Sequence, residues 1–360
     1  MVRGDGARPL LGITAGDPAG IGPEIAVKAL LRPGIFEKAA PVLYCDRAVL
    51  EDAAALAGKP CVLRALKDPR EAAGKPGTID YIDAGFLERG DYVYGRTGVK
   101  PGEASFRYVV SAIADAMSGR IDGVVTGPIS KEAVNMAGHH FSGHTEIFAH
   151  YTGTKKYGML LSAGGGVFSG SPGGLNVIHV TTHVSLRRAC ALITKERVLD
   201  TIRLAGSAMT LMGKKSRRIG VAGLNPHASE NGLFGKEEAR AIVPAVMAAR
   251  AEGLDVQGPV PPDTVFVKAL GGLFDVVVAM YHDQGHIPLK LFGFRMDAPG
   301  NFSRVSGVNA TIGLPVIRTS VDHGTAFDIA GKNLANEESM IDAVYMAAVF
   351  AENRPDRLLK

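Results

Sequence analysis

Short apolar runs alternate with stretches of helical spacing along most of the chain. Residues 10–14 predict a strand, and a helical stretch follows to about Leu31. Residues 42–45 predict a strand and 48–57 a helix, while 61–63 and 79–82 predict short strands. Phe106, Val109, Val110, Ile113 and Met117 recur at helical spacing between Gly102 and Gly119. Further strands are expected at 121–125, 175–181, 218–224 and 276–280, and helices over 194–212, 236–252 and about 338–351. Strands alternating with helices argue for parallel or mixed α/β sheets. No internal repeat, low-complexity segment or Pro/Ser-rich linker interrupts the pattern. The 360 residues suit two domains at roughly 100–200 residues each, joined by chain crossing and not by a flexible tether.

Polar residues collect where the apolar runs end. The last long run is followed by Tyr281-His-Asp-Gln-Gly-His-Ile-Pro-Leu-Lys290, in which Gly285 and Pro288 predict a turn that continues as neither strand nor helix. Polar groups beyond the carboxyl ends of parallel strands are where α/β enzymes bind ligands. His183, His227 and His282 each come just after a predicted strand. Three neutral imidazoles with an open fourth position suit a catalytic Zn²⁺ or a similar divalent ion, while each histidine alone reads as a satisfied surface or core residue. The three are too far apart in sequence for a zinc finger, so the fold would have to assemble them. Gly285 and Pro288 argue against a metalloprotease-type helix carrying His282 and His286. His139, His140, His150, His179 and His286 read as structural or solvent-facing. His144, in Ser142-Gly-His-Thr-Glu146, suits ligand contact and a plain helix start equally well.

The other end of the chain adds cations. Lys290, Asn309 and Arg318 follow the histidine stretch, and Arg318 ends the apolar run 314–317. An Arg there can grip a carboxylate or phosphate with two parallel hydrogen bonds, and Lys acts as a point charge; singly, each also reads as a surface cation. Gly16-Asp-Pro-Ala-Gly-Ile-Gly-Pro-Glu24 makes a glycine-rich turn between a strand and a helix, where free N–H groups attract anions. Its spacing matches neither the dinucleotide fingerprint nor the P-loop, so a simple tight turn is an equal reading.

Composition narrows the classes. Hydrophobic content of 46% and charged content of 21% are those of an ordinary globular chain. The net charge of +4 is spread without a basic block, which speaks against a nucleic-acid partner. No apolar run approaches the ~18 residues of a membrane span, and the first residues lack the apolar core of a signal peptide. Cys45, Cys61 and Cys190 are odd in number, far apart and in no metal spacing. A reduced, cytoplasmic setting is expected.

These stretches together resemble the 4-hydroxythreonine-4-phosphate dehydrogenase family of vitamin B6 biosynthesis. The resemblance rests on residues 16–24, Thr126-Gly-Pro-Ile-Ser-Lys131, Gly143-His-Thr-Glu146, Thr182-His183, Asn225-Pro-His-Ala228, Tyr281-His-Asp-Gln-Gly285 and Arg318-Thr-Ser-Val-Asp-His-Gly324, in order over nearly the whole chain. It implies that His183, His227 and His282 bind a divalent metal (Zn, Mg or Co). It implies that His144, Thr145, Lys290, Asn309 and Arg318 contact the phosphorylated hydroxy-acid substrate. It also implies a homodimer with a shared active site, in which one subunit's metal ligands are completed by the other.

A more distant resemblance concerns the cofactor. His323-Gly-Thr-Ala-Phe-Asp-Ile-Ala-Gly331, with Asn336 beyond, is similar to the cofactor loop of isopropylmalate and isocitrate dehydrogenases, which also begin with a turn like 16–24. That implies NAD bound by Gly20, Gly22, His323, Gly324, Asp328 and Asn336, with the Asp328 carboxylate favouring NAD over NADP. The implied fold is two α/β/α domains around a cleft, with 1–128 and 301–360 on the cofactor side and 129–300 on the metal and substrate side. The implied reaction oxidises the substrate hydroxyl, with Asp283 and Lys131 as candidates for proton transfer, and then loses CO₂. The leading substrate is 4-hydroxythreonine 4-phosphate, giving 3-amino-2-oxopropyl phosphate. Residues 286–290 and the long segment 291–308 look more like paralogues that oxidise 4-phospho-D-threonate or 4-phospho-D-erythronate to dihydroxyacetone phosphate. An aromatic dihydrodiol dehydrogenase is disfavoured by the presence of Lys290, Asn309 and Arg318. A three-histidine metallohydrolase, a phosphate acyltransferase and a non-enzymatic sensor of phosphorylated ligands are the alternatives of other classes.

Overall fold

The computed structural model describes residues 8–164, 174–298, 301–305 and 307–355. The chain divides into two compact units. Unit 1 comprises Met1–Lys155 and Leu314–Glu352, and unit 2 comprises Lys156–Gly313 and Asn353–Lys360. These boundaries fall later than residues 128/129 and 300/301. Helix His144–Thr152 packs on helix Val99–Met117, and strand Ile317–Val321 pairs with Gly123–Thr126, which keeps both segments with unit 1.

Unit 1 carries six strands, each parallel to its neighbour, in the order Val62–Leu66, Thr78–Asp83, Ala40–Cys45, Leu10–Thr14, Gly123–Thr126, Ile317–Val321. The central strands are buried along their whole length, which is why they read as continuous apolar runs and not as alternations. Helices Val99–Met117 and Glu338–Glu352 both pack on Leu10–Thr14 and Gly123–Thr126.

Unit 2 is mixed. Its strand order is Val308–Ile312, Gly158–Ala163, Leu175–His179, Val276–Ala279, Ile219–Ala222, Val256–Val260. Gly158–Ala163 runs antiparallel to both neighbours, and the others pair in parallel. Its core gathers Leu161, Val177, Phe266, Phe274, Val277 and Leu289. The long segment after Lys290 forms an antiparallel ribbon, Phe294–Ala298 with Asn301–Val305.

One expectation is overturned here. The stretch after Tyr281 is not a turn but helix His282–Gly293, with Pro288 inside it. Gly285 is there for close approach: a Cβ at that position would lie 2.2 Å from His179 Nε2 and 2.7 Å from Val177 Cγ1. Burial of Leu289 in the core offsets the hydrogen bond that Pro288 cannot donate. Among the described residues, no helix is long and apolar enough to cross a membrane.

Candidate functional site

In unit 1, parallel pairing sets Thr14, Thr126 and Ser320 side by side at the carboxyl ends of three strands. Arg318 stands two residues before Ser320, inside its strand and not at the strand's end as the sequence implied. Its guanidinium is buried, donates from Nη2 to Thr126 Oγ1 at 3.0 Å, and lies 5.9 Å from the centre of the Phe148 ring. Burial pulls its pKa down to about 10, with Glu146 opposing, so it stays charged at neutral pH.

His144 opens helix His144–Thr152, and Thr145 is the next residue of its first turn. His144 Nε2 is enclosed and has no hydrogen-bond partner. Burial, and then the charges of Arg318 and Lys131, hold its pKa well below the ordinary histidine range. At neutral pH it is therefore an uncharged imidazole facing two cations. Lys131 opens helix Lys131–Met136, which Ser130 caps by accepting from Ala133 N–H at 3.2 Å. A Cβ on Gly143 would lie 3.7 Å from Lys131 Cε, so the lysine stem passes the entry to the His144 helix. Arg318, His144 and Lys131 form an anion-attracting locus with one neutral member.

Asp17 was not singled out from sequence, although it lies in the glycine-rich turn. It is fully buried, accepts from Ala19 N–H at 2.9 Å through Oδ1, and leaves Oδ2 enclosed without a partner. Burial raises its pKa to about 6 against the pull of the Ala19 and Ser130 N–H groups. The same turn meets the expected cofactor loop: Ile21 N–H donates to Thr325 O at 3.0 Å, and a Cβ on Gly20 would lie 2.9 Å from that oxygen. A side chain at Gly20 would clash with the loop, whereas a Cβ on Gly324 would meet nothing within 4 Å. Gly22 begins helix Gly22–Leu30. The Asp328 side chain is exposed, and His323 Nδ1 lies 3.0 Å from Gly324 O. Asn336 accepts from Glu338 N–H at 2.7 Å, the role of a helix cap.

In unit 2, His183 and His282 come together with ring centres 5.7 Å apart. Asp283 lies with Oδ1 2.7 Å from His282 Nδ1, which leaves Nε2 as the outward nitrogen. Asp283 is thereby engaged in orienting a histidine. His227 has its ring 6.3 Å from that of Phe234. Among the described residues, no group of three or more His, Cys, Asp or Glu side chains is placed to hold a metal ion. Within one chain the donor set thus fits a metal in part: a close pair of imidazoles, one with its carboxylate partner.

The backbone at these histidines is unusual. His183 has φ +44°, and His227, Ala228, Ser229, Glu230 and Asn231 all have positive φ, from +44° to +68°. Left-handed backbone at non-glycine residues is costly and gathers at functional sites.

His179 and His286, read from sequence as structural, belong to the same group of rings. His286 stacks on His282 at 3.6 Å, and His179 lies 4.7 Å from His286. His179 is buried with both ring nitrogens unpartnered, and burial pulls its pKa down to about 3. Helical spacing places His286 over His282, which the reading of Gly285 and Pro288 as breakers had hidden. Lys290 sits on the same helix with Nζ 4.5 Å from the centre of the Phe294 ring. Asn309 lies in strand Val308–Ile312 with Oδ1 enclosed and unpartnered.

Comparison with known proteins agrees over almost the full length. Residues 37–347 match the family model described as pyridoxal phosphate biosynthetic protein PdxA. A relative named D-threonate 4-phosphate dehydrogenase, from Cupriavidus necator, is 46% identical over 96% of this chain and 98% of its own. One named 4-hydroxythreonine-4-phosphate dehydrogenase, from Desulfosudis oleivorans, is 44% identical over 94% and 95%. The crystal structure of 4-hydroxythreonine-4-phosphate dehydrogenase from Klebsiella pneumoniae superposes with a TM-score of 0.82 at 43% identity, covering 95% of this chain and 99% of that one.

Proposed function

Because the chain belongs to the PdxA family, whose relatives described above are dehydrogenases, we propose that it oxidises and decarboxylates a 4-phosphorylated hydroxy acid with NAD and a divalent metal. The observation that carries this reading is the enclosed Arg318 guanidinium and His144 Nε2, with the exposed Lys131 adding a second positive charge near His144. When bound, the metal supplies Lewis acidity at the substrate hydroxyl and NAD takes up the hydride.

The chain's own residues have separable tasks in this proposal. Arg318 and Lys131 hold phosphate or carboxylate, and the neutral His144 donates a hydrogen bond without adding a third positive charge. Thr145 adds the N–H groups of the first helical turn. Asn309 Oδ1 accepts from a substrate hydroxyl, and Lys290 supplies a further positive charge. His183, His227 and His282 are the proposed metal ligands, with Asp283 fixing the His282 tautomer and the set completed across a homodimer. Exposed Leu233, Phe234, Ile287 and Leu291 on unit 2 give such a dimer apolar surface to cover. Asp283 and Lys131 are the candidates for proton transfer. Gly20, Gly22 and the loop from His323 to Asn336 are proposed to hold NAD, in a cytoplasmic enzyme.

Two substrates stand close together, because relatives of 46% and 44% identity carry the two names. The first reading is 4-hydroxythreonine 4-phosphate; the second is 4-phospho-D-threonate or its erythronate epimer. The protein is incubated with NAD, a divalent metal and each of the three acids, and NADH is followed by absorbance. NADH formation with one acid in preference to the others assigns the substrate. Product formation without NADH would turn the reading to a metallohydrolase, and no NADH with any acid would overturn it.

A further inference from the structure

Three side chains on one face of helix Gly22–Leu30 and its extension reach into the loop that follows Thr325. Glu24 and Lys28 are four residues apart and line up along the helix, and Arg32 follows just past its end. Glu24 is buried, and its Oε1 accepts from Ala335 N–H at 2.9 Å and from Lys28 Nζ at 2.8 Å. Lys28 Nζ donates further to Ala335 O at 2.8 Å and Asn333 O at 3.2 Å. Arg32 Nε donates to Glu337 Oε1 at 2.8 Å. Upstream, Ile21 N–H holds Thr325 O. One glycine-rich turn and the helix it opens therefore grip the loop at both ends, at 325 and at 333–337. The intervening residues carry left-handed backbone at Ala326 (φ +42°) and Asn333 (φ +58°), conformations that need external support.

The two grips differ in kind. The backbone bond to Thr325 is unaffected by side-chain substitution at 24, 28 or 32. The second grip is a buried carboxylate and an ammonium that together satisfy an N–H and two carbonyls, and a charged hydrogen-bond network of this kind has geometry that neutral groups do not reproduce.

We infer that Glu24 and Lys28, with Arg32 as a weaker outer member, form a latch that sets the position of residues 325–337 and thereby the affinity for NAD. They are positioning residues that touch neither the cofactor nor the reacting atoms. The inference rests on the proposal that this loop holds NAD.

The test uses full-length Glu24→Gln and Lys28→Met, with Arg32→Ala as the exposed reference, and two readouts. Hydrogen exchange of 325–337, followed by mass spectrometry without cofactor, reads the latch itself. Steady-state kinetics reads its consequence. Loss of the charged bonds is expected to speed exchange in that segment. It should raise the KM for NAD about tenfold and leave kcat within about twofold. Arg32→Ala should stay within about twofold on every measure, as exposed pairs do. Glu24→Gln keeps the side chain's size and leaves no unpaired buried charge, so it provides a folded variant even where Lys28→Met, which strips the buried carboxylate of its cation, folds poorly. Unchanged exchange in both variants overturns the latch. Faster exchange with an unchanged KM for NAD overturns its link to the cofactor, and with it the reading of the loop as the NAD site.

Discussion

Arg318, Asp17 and His144 Nε2 in unit 1 are enclosed, whereas the His282–Asp283 pair in unit 2 lies at the surface. Arg318 is 3% exposed, Asp17 is fully buried and His144 Nε2 is sealed off. The Asp283 side chain is 71% exposed and its partner His282 38%. Enclosed groups take their protonation states from the fold around them, which is why burial is the leading cause of the shifts at Asp17, His144 and Arg318. Exposed donors such as His183 and His282 owe their arrangement to a carboxylate neighbour and to backbone strain. The difference teaches that enclosed groups such as Arg318 and His144 are set by the surrounding fold, while the exposed histidines depend on what binds to them.

Four substitutions break or sharpen this contrast. Arg318→Met removes the enclosed charge and is expected to lower kcat/KM by about a hundred- to a thousandfold while the protein stays folded. An active variant would move the anion site elsewhere. Asp17→Asn tests enclosure through pH. The carboxyl titrates at about 6 when folded against 3.8 when unfolded, so between those values the folded form binds more protons. Its contribution to stability is present below the unfolded value and is lost as pH rises to the folded one. Asn should remove a fall in stability of about 3 kcal/mol in all between the two values, read from urea unfolding at a series of pH values. An identical slope in both proteins would show a solvated carboxyl.

Gly285→Ala drives a methyl group into the His179 ring and should cost about 1–3 kcal/mol of stability. Adding His179→Ala should recover most of that loss, and a strictly additive double mutant would refute the contact. Asp283→Asn is the smallest on stability, because the side chain is exposed. It should weaken divalent-metal binding by about tenfold or somewhat more, measured by titration, through loss of control over the His282 tautomer.

Much of unit 1 was legible because strands buried on both faces leave uninterrupted apolar runs such as Leu10–Thr14. Lys131, His144 and Arg318 were legible as polar residues beside apolar runs or at a helix start, although Arg318 lies inside its strand. What could not be read depended on neighbours distant in sequence. Gly285 looks like a breaker until His179 is seen against it. Arg318 looks like the end of an apolar run until pairing with Gly123–Thr126 shows that the strand starts at Ile317. Asp17 and Glu24 were in view as parts of a turn, but nothing local distinguishes an enclosed carboxylate from a solvated one. Residues 227–231 contain no glycine, and although His227 and Asn231 tolerate left-handed backbone, Ala228, Ser229 and Glu230 gave no hint of it.

That last stretch has a bearing on laboratory stabilisation. Five successive non-glycine residues hold a conformation that costs on the order of 1–2 kcal/mol apiece. Glycine at Ala228 or Asn231 relieves part of that cost in the folded chain, although it also loosens the unfolded one. A library selected only for heat resistance would therefore be free to soften the segment that presents His227. Heat tolerance and metal retention are best scored together in such a selection.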